Sequence, residues 1–224
     1  MPRILLLFLM LMACQRPPVP LQKPMKLPPP PPQESEIPQI SPNLQIDGEL
    51  GETPWRLALR TGPFLDAQGQ LAIPHSEALL AHDGQRLLLG LYAADENLQA
   101  AVTQTDAPLW ADDTFQVRLQ KLPTGPVYAL DVSVTGVLTD ARVDVRGQAE
   151  VAWQSGAQVA VDRDGTLNDP HDDDEEWVVE LAVPLRNLGI QRGDRLAITL
   201  LRCDTPKDGR RRCGSWKREM RVGR

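Results

Sequence analysis

The carboxylates and histidines of this sequence are the side chains that could carry out acid–base catalysis. Hydrolysis of a glycosidic bond needs two carboxyl groups at a defined separation, with pKa values that their surroundings push apart. Asp112 and Asp113 are adjacent, so on a strand they would point to opposite faces, and no other carboxylate is a convincing partner. The three histidines form no arrangement with a serine or cysteine that the sequence supports: His75, His82 and His171. We therefore predict that the protein is not an enzyme.

The N-terminal segment has the features of a secretory signal. Arg3 precedes an apolar run at residues 4–12, which is far shorter than the roughly 20 residues needed to span a bilayer. Residues 11–14 read Leu-Met-Ala-Cys, which resembles the bacterial lipobox and implies cleavage before Cys14 and acylation of its thiol. Gln15 stands where an inner-membrane retention signal favours aspartate, so we expect an outer-membrane lipoprotein that faces the periplasm or the cell surface. A plain signal with an incidental cysteine is the alternative.

Proline dominates the segment that follows. Residues 15–42 hold more than half of the 21 prolines, and the run Pro28–Pro32 favours stiff polyproline II without a core. At about 3.1 Å per residue, this tether could reach roughly 80–90 Å when fully extended. We therefore divide the chain into a signal peptide (1–13), a lipidated cysteine with a disordered linker (14–42) and one folded domain (43–224).

The two remaining cysteines, Cys203 and Cys213, are predicted to form a disulfide. An exported protein meets an oxidising compartment, where neighbouring thiols pair. Two cysteines without a nearby histidine do not make a zinc site. The disulfide would fix the turn at residues 206–209 and hold Trp216 near it.

An acidic run follows residue 168 and offers hard oxygen atoms that calcium prefers. The candidate ligands are Asp169, Asp172, Asp173 and Asp174. The run lacks the regular ligand spacing of a calcium loop, so a solvated acidic loop is the alternative.

Basic residues gather near the C-terminus although the formal net charge of the chain is −6. No uniform basic face indicates binding to nucleic acid. The basic cluster at Arg210, Arg211, Arg212 and Lys217 could bind anionic polysaccharide or lipid headgroups. Binding of that kind should collapse at high salt.

Alternation of apolar and polar residues predicts an all-β fold. Phe115, Val117 and Leu119 alternate with polar residues, which is typical of a strand with one buried face. The segments 86–94, 177–183 and 195–201 are more apolar and are predicted as strands buried on both faces. Short strands separated by turn signals predict an antiparallel β-sandwich, with one helical turn at residues 184–188.

Four short stretches resemble the family 9 carbohydrate-binding modules, which are non-catalytic β-sandwiches. These stretches are residues 45–55, with Ile46, Asp47, Gly48, Pro54 and Trp55; residues 110–117; residues 177–184; and Ser215-Trp216. The resemblance extends over most of the chain from residue 44 and implies a jelly-roll or immunoglobulin-like sandwich. It also implies that Trp55 and Trp177 pack in the fold, since both lie in its landmarks, and that structural calcium is a possible cofactor.

The same resemblance implies a sugar site in which two tryptophans clamp a ring. The clamp tryptophans of binding members align with Trp110 and Trp216, and we assign Asp113 and Gln116 to the same site. A flat indole can cover the apolar face of a pyranose while polar groups bind its edge. Gln116 replaces a glutamate of the family, and the family's arginine on the next strand falls at or beside Ala129.

Two functions follow from these observations. The first is a surface-tethered, non-catalytic module that binds polysaccharide or oligosaccharide near envelope enzymes of carbohydrate catabolism. The alternative is an envelope interaction or assembly lipoprotein that binds a protein partner and keeps the sandwich with a degenerate sugar site. Glu180, which lies between apolar residues, is predicted to be a paired structural carboxylate.

Overall fold

Two β-sheets face each other in the computed structural model, which describes residues 35–223. The larger sheet has the strand order β1 (Glu36–Ile37), β12 (Arg212–Val222), β11 (Arg195–Asp204), β5 (Thr114–Lys121), β6 (Val127–Ser133), β7 (Leu138–Val143) and β8 (Ala149–Glu150). The smaller sheet has the order β2 (Leu59–Arg60), β3 (Ser76–His82), β4 (Arg86–Ala94), β10 (Glu176–Pro184) and β9 (Gln158–Asp164). Neighbouring strands are antiparallel except β1 and β12, which are parallel. The predicted antiparallel sandwich is confirmed.

Helical structure in residues 35–223 is limited to two short 3-10 turns, Thr53–Leu57 and Leu185–Leu188. The second confirms the helical turn predicted after Pro184. No helix in this part of the chain has the length and apolar character required to cross a membrane.

The core lies between the sheets, because alternate residues of each strand point inward. Phe115, Val117 and Leu119 of β5 are buried as their spacing predicts. The ring of Phe115 packs on Trp177 of β10 with 4.8 Å between ring centroids. Trp177 is fully buried, which confirms its predicted place in the core.

The domain begins earlier than the sequence predicts. Ile37 and Ile40, which we assigned to the linker, are buried, and Glu36–Ile37 pairs with the end of β12. The predicted boundary at residue 43 is therefore wrong. The boundary was placed too late because the proline-rich composition of this segment favours a disordered linker. Burial of the two isoleucines offsets the entropy cost of ordering it.

The outer side of the smaller sheet is covered by the segment that precedes β2. Trp55 is buried there in a second apolar cluster with Ile40, Leu44 and residues of β3, β4 and β10. Glu180 of β10 lies on this side and accepts hydrogen bonds from the Trp55 indole N–H at 2.6 Å and from the Asp47 backbone N–H at 2.7 Å. Glu180 is thus the structural carboxylate that was predicted, and burial on both faces explains why β4 and β10 are apolar along their length.

A disulfide joins β11 to β12 at the hairpin end of the larger sheet. Cys203 and Cys213 are direct cross-strand partners with Cα atoms 4.2 Å apart, which confirms the predicted pairing. The hairpin beyond them turns at residues 206–209, where the Gly209 N–H donates to the Pro206 carbonyl at 2.8 Å.

Candidate functional site

The outer side of the larger sheet carries mainly polar and small side chains together with Leu201, and we call it the open face. Its members point away from the core because they alternate with buried residues such as Val117, Leu130 and Leu200. The strand register defines an upper row, Ser215–Leu201–Gln116–Asp131–Thr139, and a lower row, Lys217–Thr199–Arg118–Ala129–Ala141. The predicted burial of residues 195–201 on both faces is therefore wrong, since β11 alternates between core and open face.

Hydrogen bonds connect the three polar groups at the centre of the open face. The Arg118 guanidinium forms a two-point ion pair with Asp131, in which Nη2 donates to Oδ2 at 3.2 Å. The same Nη2 lies 3.4 Å from Gln116 Oε1, so the three side chains hold one another in place. The Gln116 amide nitrogen donates to none of the residues 35–223 and is available to a ligand.

Trp110 stands at the upper end of the open face on a tight turn. The turn is closed by a hydrogen bond from the Asp112 N–H to the Leu109 carbonyl at 3.1 Å. Leu109 is buried, whereas Trp110 is 75% exposed. The Thr139 hydroxyl in the upper row donates to the Ala107 carbonyl at 2.6 Å. This bond docks the loop before Trp110 onto the open face.

Two buried carboxylates fix the position of the turn. Asp112 accepts hydrogen bonds from the N–H groups of Ala101 at 2.9 Å and Val102 at 3.2 Å. Asp113 is fully buried and accepts from the N–H groups of Gln99 at 2.7 Å and Thr205 at 2.9 Å. The assignment of Asp113 to the sugar site is therefore wrong, because both of its oxygens satisfy backbone donors that would otherwise be orphaned.

A buried polar cluster surrounds Asp113 beneath the turn. Arg202 donates to Asp95 at 2.6 Å and to Asp204 at 3.0 Å, and all of these groups are buried. Burial, with the neighbouring Asp95 charge, raises the pKa of Asp113 to about 7. Burial also raises the pKa of Asp204 to about 6, although the Arg202 charge opposes this shift. This cluster is closed to substrate, so it does not supply the open carboxylate pair of a glycosidase.

The same cluster does not fit a calcium ion. Carboxylate oxygens of Asp95, Asp113 and Asp204 lie within 4.8 Å of one another. Calcium takes six to eight oxygen ligands, but here Asp113 is saturated by backbone N–H groups and Arg202 already supplies the positive charge. The predicted ligands lie elsewhere: Asp174 accepts from the Leu98 and Thr166 N–H groups, and Asp173 pairs with Lys207. Neither group of three clustered carboxylates in residues 35–223 includes Asp172, Asp173 or Asp174.

Trp216 does not face Trp110 across a groove. Its ring is 9% exposed and belongs to the core, and its cross-strand partner Leu200 is fully buried. The prediction of an exposed Trp216 is wrong, because β12 places Ser215 on the open face and the next residue inward. Trp216 is separated from Met220 and Val222 by even numbers of residues in β12, so the three share one side of the strand, and both partners are buried. These two apolar residues were the signal in the sequence that Trp216 points into the core.

Two polar residues of the open face, Arg118 and Asp131, were not assigned to the site from the sequence, although strand alternation indicated their side of the sheet. Arg118 is two residues from Gln116 on a strand with clear alternation, so it had to share the face of Gln116. Asp131 alternates with buried Leu130 and Val132 in the same way. Ala129, at or beside the position where the resemblance puts the family's arginine, is the direct cross-strand partner of Arg118.

Solved structures with the same fold include carbohydrate-binding modules. A protein from Bacteroides uniformis, provisionally described as carbohydrate-binding, matches 81% of this chain and 88% of its own at 14% identity, with a TM-score of 0.65. A family 9 carbohydrate-binding module from Caldicellulosiruptor kristjanssonii matches in complex with cellotriose, over 85% and 95% of the two chains at 14% identity, with a TM-score of 0.56. Its complex with glucose matches over 85% and 97% at 13% identity, with a TM-score of 0.57. The TM-scores and coverages establish a common fold, and at 13–14% identity they establish the fold alone.

No protein-family model matches the sequence. No curated protein matches it either.

Proposed function

We propose that this protein is a non-catalytic carbohydrate-binding module whose site is the open face together with Trp110. The observation that carries the proposal is an indole ring, 75% exposed, on a turn fixed by buried carboxylates at the end of a polar sheet face. The fold shared with family 9 carbohydrate-binding modules supports it. Because hydrogen bonds fix the backbone of this turn, binding does not have to order the segment that carries the ring, which lowers the entropy cost.

The chemistry of binding follows from the two kinds of group. The apolar face of a sugar ring stacks on Trp110, and removal of about 60 Å² of apolar surface from water contributes about 1.5 kcal/mol. Gln116 donates from its amide nitrogen to a ring hydroxyl, while the Arg118–Asp131 pair offers both a donor and an acceptor to the next one. The site thus uses one tryptophan and the face of the sheet in place of the two-tryptophan clamp.

A binding screen of residues 35–224 against immobilised glycans tests this function. Trp110→Ala should weaken binding to every glycan that the parent protein retains. Leu57→Ala is the matched control, because Leu57 is a large apolar residue, 69% exposed, on the 3-10 turn beside the smaller sheet. Unchanged binding by Trp110→Ala would refute the proposed site.

Anchorage in the outer membrane through Cys14 is part of the proposal and rests on the sequence of residues 1–42, which lie largely outside the described residues. A lipid anchor would keep the module at the envelope, where it would hold polysaccharide near degrading enzymes. The test is membrane fractionation of the full chain: the parent protein should sediment with membranes, and Cys14→Ser should be released. Equal sedimentation of both proteins would overturn the anchor without affecting the sugar site.

A second candidate function is an envelope interaction or assembly protein, and two observations favour it. Burial of Trp216 removes one wall of the clamp. In addition, Leu71 and Ile73 are 63% and 73% exposed on a single segment before β3, where they could contact a protein partner. Stoichiometric capture of one envelope protein, abolished by a Leu71→Ser, Ile73→Ser double variant and combined with blank glycan arrays, would establish this function instead.

A further inference from the structure

We infer that the glycan bound on the open face is acidic, and that a uronic acid carboxylate sits in the lower row between Lys217 and Arg118. This inference rests on the proposed function, because it assigns a ligand class to the same face.

Register places Lys217 and Arg118 on either side of one small residue. Both are direct cross-strand partners of Thr199 in β11, so their backbones are two strand spacings, about 10 Å, apart. Thr199 is short, whereas Lys217 and Arg118 are long, and the Arg118 guanidinium is held by Asp131. Thr199 therefore lies low between the Lys217 ammonium on one side and the Arg118–Asp131 pair on the other, and the ammonium and the hydroxyl can bind a carboxylate there.

Charge pairing leaves a positive excess beside Thr199. Near this residue, register places the acidic side chains of Asp131 and Glu219 on the open face, and each is already paired with an arginine, Arg118 and Arg195 respectively. Glu36 lies farther away, beside Arg221 at the edge of the sheet. Lys217 is exposed, and no carboxylate of residues 35–223 lies within ion-pairing distance of it. The ammonium group of Lys217 is therefore free to pair with a ligand.

A further cation, Arg211, borders the upper end of the face beside Trp110. Arg211 is exposed and donates from Nη2 to the Asp112 carbonyl at 2.9 Å, next to the turn that carries the indole ring. No carboxylate of the described residues forms an ion pair with it. This local positive excess is found on a chain with a formal net charge of −6, so the bulk charge does not produce it.

The neutral side chain of Gln116 is consistent with this ligand. A glutamate at this position would add a negative charge to the row above Arg118 and would repel an anionic sugar. Glutamine keeps the hydrogen-bonding capacity and removes that repulsion.

The test is a glycan array of the full domain in which each uronic acid oligosaccharide has a neutral counterpart of the same linkage. Trigalacturonate and α-1,4-galactotriose are one such pair, which differ only at C6. Exposed ion pairs contribute about 0.2–1 kcal/mol each, so Lys217→Gln should weaken acidic binding by about 2- to 5-fold and leave neutral binding unchanged. Arg56→Gln is the control, because it removes the same charge from an exposed site on the 3-10 turn beside the smaller sheet.

The outcomes separate this inference from the proposed function. Preference for acidic glycans that is lost in Lys217→Gln, retained in Arg56→Gln and reduced by salt supports the inference. Equal binding of neutral and acidic members, with no effect of Lys217→Gln, overturns the inference and leaves the carbohydrate-binding function standing. Blank arrays overturn both. Binding to anionic phosphatidylglycerol vesicles, with blank arrays and the same dependence on Lys217, would reassign the face to a lipid surface.

Discussion

Gln116 and Trp216 lie on opposite faces of one sheet, two strands apart. Gln116 shares the open face with its register neighbours Leu201 and Ser215, whereas Trp216 points with Leu200 into the core. A ligand that contacts Gln116 therefore cannot reach the Trp216 ring without opening the sandwich. Under the proposed function, stacking therefore falls to Trp110, the one indole classed as exposed among residues 35–223.

The two tryptophans should respond differently to truncation. Trp216→Ala removes a buried ring and should lower the free energy of unfolding by about 3–5 kcal/mol. Trp110→Ala removes an exposed ring and should change it by less than about 0.5 kcal/mol. Urea unfolding followed by circular dichroism measures both. Equal destabilisation by the two substitutions would contradict the buried position of Trp216.

The disulfide should stabilise the hairpin that borders the open face. It closes a loop with a sequence separation of 10 residues, for which the chain-entropy model gives about 2–3 kcal/mol. Replacement of Cys203 and Cys213 by serine should lower the free energy of unfolding by that amount. Reducing agent should lower the stability of the parent protein to the same level and have no effect on the double variant.

Removal of the Glu180 carboxylate should leave three hydrogen-bond donors on the outer side of the smaller sheet without an acceptor. The Asp47 and Gly48 N–H groups and the Trp55 indole all donate to it, at 2.7, 3.0 and 2.6 Å. Each buried unsatisfied group costs about 1–3 kcal/mol, so Glu180→Ala should destabilise the domain more than Trp55→Phe, which leaves two of the three bonds intact. A double-mutant cycle should show coupling between these two positions.

Stability should fall as pH rises through the titration of Asp113. Its folded-state pKa is raised to about 7 from the ordinary 3.8, so the folded state holds a proton that the unfolded state releases. The contribution is fully present below about pH 4 and is lost as pH approaches 7. Asp204, with a pKa of about 6, acts in the same direction. Urea midpoints measured across this range should fall less steeply for Asp113→Asn; an unchanged slope would argue against titration in this cluster.

His82 should act in the opposite direction. Burial lowers the pKa of its ring below the ordinary 6.5, against the opposing charge of Asp83, and its Nδ1 accepts a hydrogen bond from the Gly84 N–H at 3.1 Å. As the pH falls through about 6.5, His82 therefore takes up a proton in the unfolded state but not yet in the folded state. The folded state loses stability as the pH falls below that value. The difference in unfolding free energy between the parent protein and His82→Gln should shrink as the pH is lowered from 7.5 to 5.5.

Local pattern was enough to predict the strands, because apolar alternation depends only on neighbours in the chain. It located Phe115, Val117 and Leu119 in a strand with one buried face. The disulfide was predictable because only two cysteines remained beyond Cys14. These features required no knowledge of distant contacts.

Two features were settled only by the tertiary structure: which side of β12 faces the core, and which groups the buried carboxylates bind. Trp216 and Ser215 differ by one position, and a shift of one residue in a strand exchanges core and solvent. The sequence does not show that Asp113 is a structural carboxylate, because the N–H groups that donate to its two oxygens belong to Gln99 and Thr205, which approach from separate segments.

The sequence by itself determined an all-β sandwich and its disulfide, since side-chain period and residue type specify these locally, and the family resemblance implied that Trp55 and Trp177 pack in the fold. Only the tertiary structure decided which sheet face stays uncovered. Residues 40–55 cover the smaller sheet through Ile40, Leu44 and Trp55, and the larger sheet keeps Gln116 and Arg118 on its outer side. That choice depends on which remote segments meet and exclude water. The apolar character of β4, β10 and β11 was similar in the sequence, but only β4 and β10 are covered on both faces.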